Sequence, residues 1–148
     1  MIRRLLPLVL VGVLSCLVEA KQLAIVAEKS NPTTNLSQAE LVRIFLAKTR
    51  SWPGGTPLVL VVRNPSLADM QLVVRRIFNM TPEEARAFVQ AHHDAIMVAE
   101  SDEAVIKYVS ETQGAIGVVD LFSITKDIKV IKIDGKLPVE PGYCLRGD

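Results

Sequence analysis

The apolar residues of this chain fall alternately into short continuous runs and into helical stripes. Gln22 to Ala27 (QLAIVA) is a β-rich run without helical spacing, which predicts a strand buried on both faces. It ends at Lys29-Ser30-Asn31-Pro32, a turn that cannot continue a ladder because proline lacks the donor. From Leu36 the period becomes helical. Ser37 can cap a helix with its hydroxyl while Glu40 reaches back to the Ser37 N–H, a capping box flanked by Leu36 and Leu41 as a hydrophobic staple. Leu41, Ile44 and Phe45 then share an inward face, Lys48 marks the wet end, and Trp52 followed by Pro53-Gly54-Gly55 stops the unit. Pro57 to Val62 (PLVLVV) predicts a second buried strand, so strand, helix and strand read as a parallel crossover.

The alternation continues downstream. Ser66 and Asp69 have cap and third-position spacing for a longer helix whose stripe is Met70, Val73, Val74, Ile77 and Phe78, with Arg75 and Arg76 on its solvated side and Asn79 at its end. Thr81-Pro82-Glu83-Glu84 opens another helix with a capping box and proline at the first position, burying Phe88 and Val89. Ala95 to Ala99 is a short strand or a loop. Ser101-Asp102-Glu103 starts a helix that is acidic at its N-terminus, as the dipole favours, and that buries Val105, Tyr108 and Val109. Gly114 closes it, Ala115 to Val119 enters the sheet, Ile128 to Ile133 is the last clear strand, and Asp134-Gly135 turns the chain into a tail over 137–148 that packs or frays.

Composition narrows the classes. Nearly half of the 148 residues (49%) are hydrophobic and only 5% aromatic, which suits an aliphatic α/β interior and excludes disorder. Residues 1–20 stand apart: Arg3 and Arg4 precede the apolar run Leu5 to Leu14, and Val18-Glu19-Ala20 offers a small-residue cleavage site, so the segment reads as a secretory signal. The run is too short for a transmembrane helix, and the rest of the chain, 21–148, reads as one soluble domain, periplasmic or secreted. Cys16 lies in Val13-Leu14-Ser15-Cys16, similar to a lipoprotein cleavage box; with cleavage after Ala20 instead, Cys144 is the one remaining cysteine and no internal disulfide can form. Of 17 basic and 16 acidic residues, that cleavage leaves 15 of each. A neutral domain without a basic run or an aromatic platform has no basis for nucleic-acid binding.

The order capped helix, Ile44-Phe45, Ala47-Lys48, Ser51-Trp52, Gly55, a strand and then Arg63 resembles the solute-binding proteins of phosphate ABC importers. Gly114-Ala115-Ile116-Gly117-Val118 is similar to the strand that returns to the sheet of one lobe in those receptors. The resemblance runs from about residue 23 to 135. It implies a three-layer α/β fold, a mixed, mostly parallel sheet flanked by helices, like one lobe of a type II periplasmic binding protein. It also implies binding of a small, phosphate-like oxyanion and a membrane transporter or sensor as partner.

The candidate site follows from strand and helix ends. The Arg63 to Ser66 turn, placed after a strand and before a helix, offers backbone N–H donors, a guanidinium and a hydroxyl to an anion. Where the family has an arginine and then a Ser-Gly-Thr turn, this chain has Ser66-Leu67-Ala68, so only Arg63 and Ser66 carry over. Asp69 beside the turn can accept a bond from a protonated oxyanion or repel an anion. Ser30 and Asn31 end the first strand on the expected same rim, because ligands of open α/β sheets collect at carboxyl strand ends. His92-His93-Asp94 is the one cluster suggestive of a metal or of acid–base work, but adjacent helical residues point about 100° apart and cannot readily share an ion. No nucleophile or phosphate-cradling motif occurs, so no enzyme and no cofactor are expected. Two functions remain open: an oxyanion-binding lobe without catalysis, or an interaction module that keeps the lobe as a scaffold for a protein partner.

Overall fold

A computed structural model describes residues 21–147; the signal segment expected over 1–20, with its Cys16 box, and Asp148 lie outside the described residues. Six strands form one sheet in the order β2-β6-β1-β5-β3-β4, with β1 Leu23–Glu28, β2 Asn35–Leu36, β3 Val59–Arg63, β4 Ile96–Ala99, β5 Ala115–Asp120 and β6 Ile128–Ile133. β3 is parallel to β4 and β5, and β2 to β6. β1 is antiparallel to both of its neighbours, β5 and β6. The sheet is therefore mixed and mostly parallel, with one central strand reversed.

That reversal corrects the crossover expectation. β1 and β3 are separated by β5 and run in opposite directions. The physical reason is that a strand buried on both faces presents the same unbroken apolar run whichever way it points, so its composition carries no direction.

Helices cover both faces. On one side lie α1 (Gln38–Phe45), the segment Ala68–Phe78 containing α2 (Gln71–Val73), α3 (Pro82–Ala91) and the C-terminal tail; on the other lies α4 (Asp102–Glu111). Alternate residues divide between the two layers. Leu23, Ile25 and Ala27 of β1 join the first core, and Ala24 and Val26 join the α4 core. Gly117 of β5 lies beneath α4, where a Cβ would come within 2.7 Å of Val105, so the missing side chain sets how closely that helix approaches.

Local signals mostly hold. Ser37 and Glu40 make the reciprocal capping box, and Leu41, Ile44 and Phe45 are buried. α1 ends at Phe45, before the Pro-Gly-Gly turn, because Ala47 takes a left-handed φ of 55° and the Lys48 N–H turns back to the Arg43 carbonyl. Thr81 caps α3 by accepting from the Glu84 N–H at 3.2 Å. The tail is packed: Tyr143 and Leu145 are in the core, and the Leu23 N–H donates to the Leu145 carbonyl at 3.0 Å. Arg76 is not simply solvated, since its guanidinium donates to the Cys144 carbonyl at 2.9 Å and pins that tail.

The longer helix expected from Ser66 departs most from regular form. It is a 3-10 turn over Ala68–Met70, then α2, then a π-helical turn over Val74–Phe78 that Asn79 closes at a left-handed φ of 53°. Ser66 is not its cap. The Asn64 side chain accepts the Ser66 N–H at 2.9 Å and the Asn64 carbonyl accepts the Leu67 N–H at 3.0 Å, so this turn is organised by Asn64-Pro65 and not by the serine hydroxyl.

Candidate functional site

The direction of β1 decides which candidate residues meet. Leu23 is registered with Asp120 and Ala27 with Ile116, so the start of β1 lies at the carboxyl ends of β5 and β3. The end of β1, with Ser30 and Asn31, lies at the opposite edge of the sheet, about 20 Å away along six residues of strand. The single rim expected for Arg63, Ser66, Ser30 and Asn31 is therefore not formed. Ser30 and Asn31 instead line a separate cavity of about 300 Å³ with Glu28, Trp52 and Gly114.

Arg63, the last residue of β3, is four-fifths covered, with a side-chain exposure of 20%. Its Nη1 donates to Asp69 at 3.2 Å and lies 3.7 Å from Asp102, while its Nε is buried without a partner. Lys21, at the entry to β1, donates its Nζ to Asp69 at 2.8 Å and sits 3.1 Å from Asp120. Asp102, in the first turn of α4, also accepts the Asp120 N–H at 3.1 Å and the Ser123 hydroxyl at 2.7 Å. Two cations thus face three carboxylates around a hollow of about 10 Å³, the size of one water.

These contacts set the charge states. The Lys21 hydrogen bond holds the Asp69 carboxyl below its ordinary pKa, helped by Arg63. Partial burial works against the Lys21 ammonium, but its bonds to Asp69 and Asp120 outweigh that, and its pKa is raised. Asp69 is therefore an anion at neutral pH, and its side chain is 51% exposed against 14% for Asp102.

The expected amide cradle is reduced. The Ser66 and Leu67 N–H groups are both taken by Asn64, and the three-residue turn that follows sums too few peptide dipoles to act as a helix N-terminus. Ser66 itself is exposed on the same loop as Arg63. Lys21, Asp102 and Asp120 were not among the sequence candidates. The acidic start of α4 flagged Asp102 only as a helix residue; Lys21 and Asp120 meet it through strand pairing, which leaves no local signal.

The histidine cluster also resolves into local contacts. His92 Nδ1 lies 2.8 Å from the Phe88 carbonyl with its ring stacked on Phe88, and Asp94 pairs with Arg50 at 2.8 Å. Among the described residues no group of three or more His, Cys, Asp or Glu side chains could hold a metal, and no helix is long and apolar enough to cross a membrane.

Comparison with solved structures places the fold. An ABC-type phosphate transport receptor from Vibrio cholerae superposes with a TM-score of 0.72 at 18% identity, over 87% of this chain and 55% of the receptor. PstS from Borrelia burgdorferi gives 0.73 at 20% identity, over 88% and 56%. A phosphate-binding protein from Stenotrophomonas maltophilia gives 0.65 at 16% identity, over 81% and 41%. The chain spans about half the length of these proteins. No curated protein sequence matches it. The model of the PBP superfamily domain matches residues 16–141, and the chain belongs to that family.

Proposed function

We propose that this chain is a solute-binding-protein-like domain, secreted or periplasmic, that takes a small oxyanion such as phosphate at the carboxyl end of β3. Arg63 supplies the main charge-assisted hydrogen bonds, Lys21 a second cation, and Ser66 a hydroxyl from the neighbouring turn. No group there is arranged as a nucleophile and base, so the reading is binding without catalysis. The observation that carries it is Arg63 itself: a guanidinium anchored on a rigid strand end, largely covered, whose Nε still lacks an acceptor. The matched proteins are described as phosphate transport receptors and phosphate-binding proteins, which supports the same ligand and an ABC uptake context here.

Calorimetry of the purified protein with phosphate and sulfate tests it. Saturable heat that Arg63→Ala abolishes supports the reading, whereas heat unchanged in Arg63→Ala, or no heat with any oxyanion, ends it. Binding should be weak, because one lobe leaves a ligand half solvated.

A second reading has its own support. Arg63 and Lys21 are already neutralised by carboxylates, and Phe122, two residues after Asp120, is 80% exposed. A charged rim with an adjacent bare aromatic suits a protein contact, such as a membrane transporter or sensor. Under this reading Phe122→Ala weakens partner binding and anions have no effect.

A further inference from the structure

We infer that Asp69 is a chain-borne competitor for the oxyanion at this rim and determines which anions enter; the inference rests on the oxyanion reading above. The Asp69 carboxylate already stands where a ligand's oxygens would stand. One oxygen meets Lys21 at 2.8 Å and the other meets Arg63 at 3.2 Å, so a single planar anion bridges a cation just before β1 and one at the end of β3. The other two carboxylates are placed differently. Asp102 is tied down by the Asp120 N–H and the Ser123 hydroxyl, and the Asp120 side chain accepts the Phe122 N–H at 2.9 Å, so both are structural members of the rim. Asp69 is the exposed one, and it rides on the three-residue turn Ala68–Met70, which Leu67 precedes without a side-chain cap.

The hollow behind it is too small for an oxyanion while Asp69 is in place. Binding therefore requires Asp69 to leave both cations, after which two carboxylates balance two cations and the rim no longer repels an anion. Exposed pairs of this kind are weak and screened by salt, so the exchange is within reach of a ligand that offers two oxygens at similar spacing. A spherical halide cannot reproduce the bridge. The ligand class is thus a bidentate oxyanion that replaces a carboxylate on Lys21 and Arg63.

The test compares wild type, Asp69→Asn, Asp69→Ala and Arg63→Ala/Asp69→Asn in phosphate and sulfate titrations at constant chloride. Both Asp69 variants should bind up to about fivefold more tightly than wild type, which is about 1 kcal/mol, and the double variant should bind neither anion. Wild-type binding that Asp69→Asn leaves unchanged or weakens overturns the inference while the oxyanion reading stands. Silence in all four proteins overturns both. A gain that survives Arg63→Ala reports only a general change of charge and also overturns the inference. Asp69 is half exposed, and matching denaturation midpoints near neutral pH, within the small effect of a surface pair, identify variants that are folded.

Discussion

The two edges of the sheet are built from different materials. At the edge holding Ser30 and Asn31, the corner around Gly114 is fixed by backbone geometry: the Trp52 indole donates to the Gly114 carbonyl at 2.9 Å, the Trp52 N–H donates to the Thr56 carbonyl at 2.9 Å, and Gly114 takes a φ of 82°. At the edge holding Arg63, the same strands end in side chains of opposite charge that hold one another. Sterics and backbone hydrogen bonds are insensitive to salt and to modest changes of pH, whereas exposed charges respond to both. We therefore place the proposed oxyanion site at the second edge, even though the cavity beside Ser30 and Asn31, about 300 Å³, is the larger of the two.

The largest expected effect comes from breaking the rigid edge. A Cβ on Gly114 would lie 2.1 Å from the Pro57 carbonyl oxygen, and the backbone there is left-handed. Gly114→Ala combines that conformational cost with overpacking against backbone that cannot rotate away, a loss of about 3 kcal/mol or more. Urea denaturation followed by Trp52 fluorescence measures it directly, since Trp52 is the one tryptophan in the sequence and packs on Gly114. A loss below about 1 kcal/mol would mean that this edge yields as readily as the charged one.

How much of this was legible in the sequence depends on the range of each interaction. The Ser37-Glu40 box, the Asn79 stop and the buried stripe of α1 are three- and four-residue patterns, and they are present as read. Arg63 stands out locally as a cation after a buried strand, and it is the last residue of β3. Ser66 was misread because serine before a helical stripe and Asn-Pro before a turn compete for the same amide, and Asn64 holds it. Ser30 and Asn31 were assigned to the wrong edge by one unreadable fact, the direction of β1. The same fact hid Lys21 and Asp120, which come together through the Leu23 to Asp120 register, almost a hundred positions apart in the chain.

A smaller effect is expected at the charged edge. Asp102 accepts two hydrogen bonds and faces Arg63, and it is mostly covered. Asp102→Ala leaves the Asp120 N–H and the guanidinium short of an acceptor and removes a favourable charge from the start of α4, which should cost about 2 kcal/mol. Raised salt should narrow the difference between wild type and Asp102→Ala in denaturant midpoint and leave that between wild type and Gly114→Ala unchanged. Equal salt responses would erase the distinction between the edges.

The smallest effect is the most specific to the exchange of partners. Asp69 has a folded pKa lowered first by the Lys21 hydrogen bond and then by Arg63. A depressed carboxylate contributes stability that is present above its unfolded pKa, about 3.9, and is lost as pH falls through the folded value below that. Because its side chain is 51% exposed, solvent screening limits the contribution to about 1 kcal/mol or less. Wild type should therefore exceed Asp69→Asn slightly in urea stability at pH 7, and the two should converge as pH drops below about 4. Saturating phosphate at pH 7 should close the same gap from the other direction, because the ligand then fills in wild type the contacts that Asp69 gave up, and binds the variant more tightly still. A gap that persists at low pH would show that Asp69 acts through packing and not through its charge, and the charged edge would then be as fixed as the other.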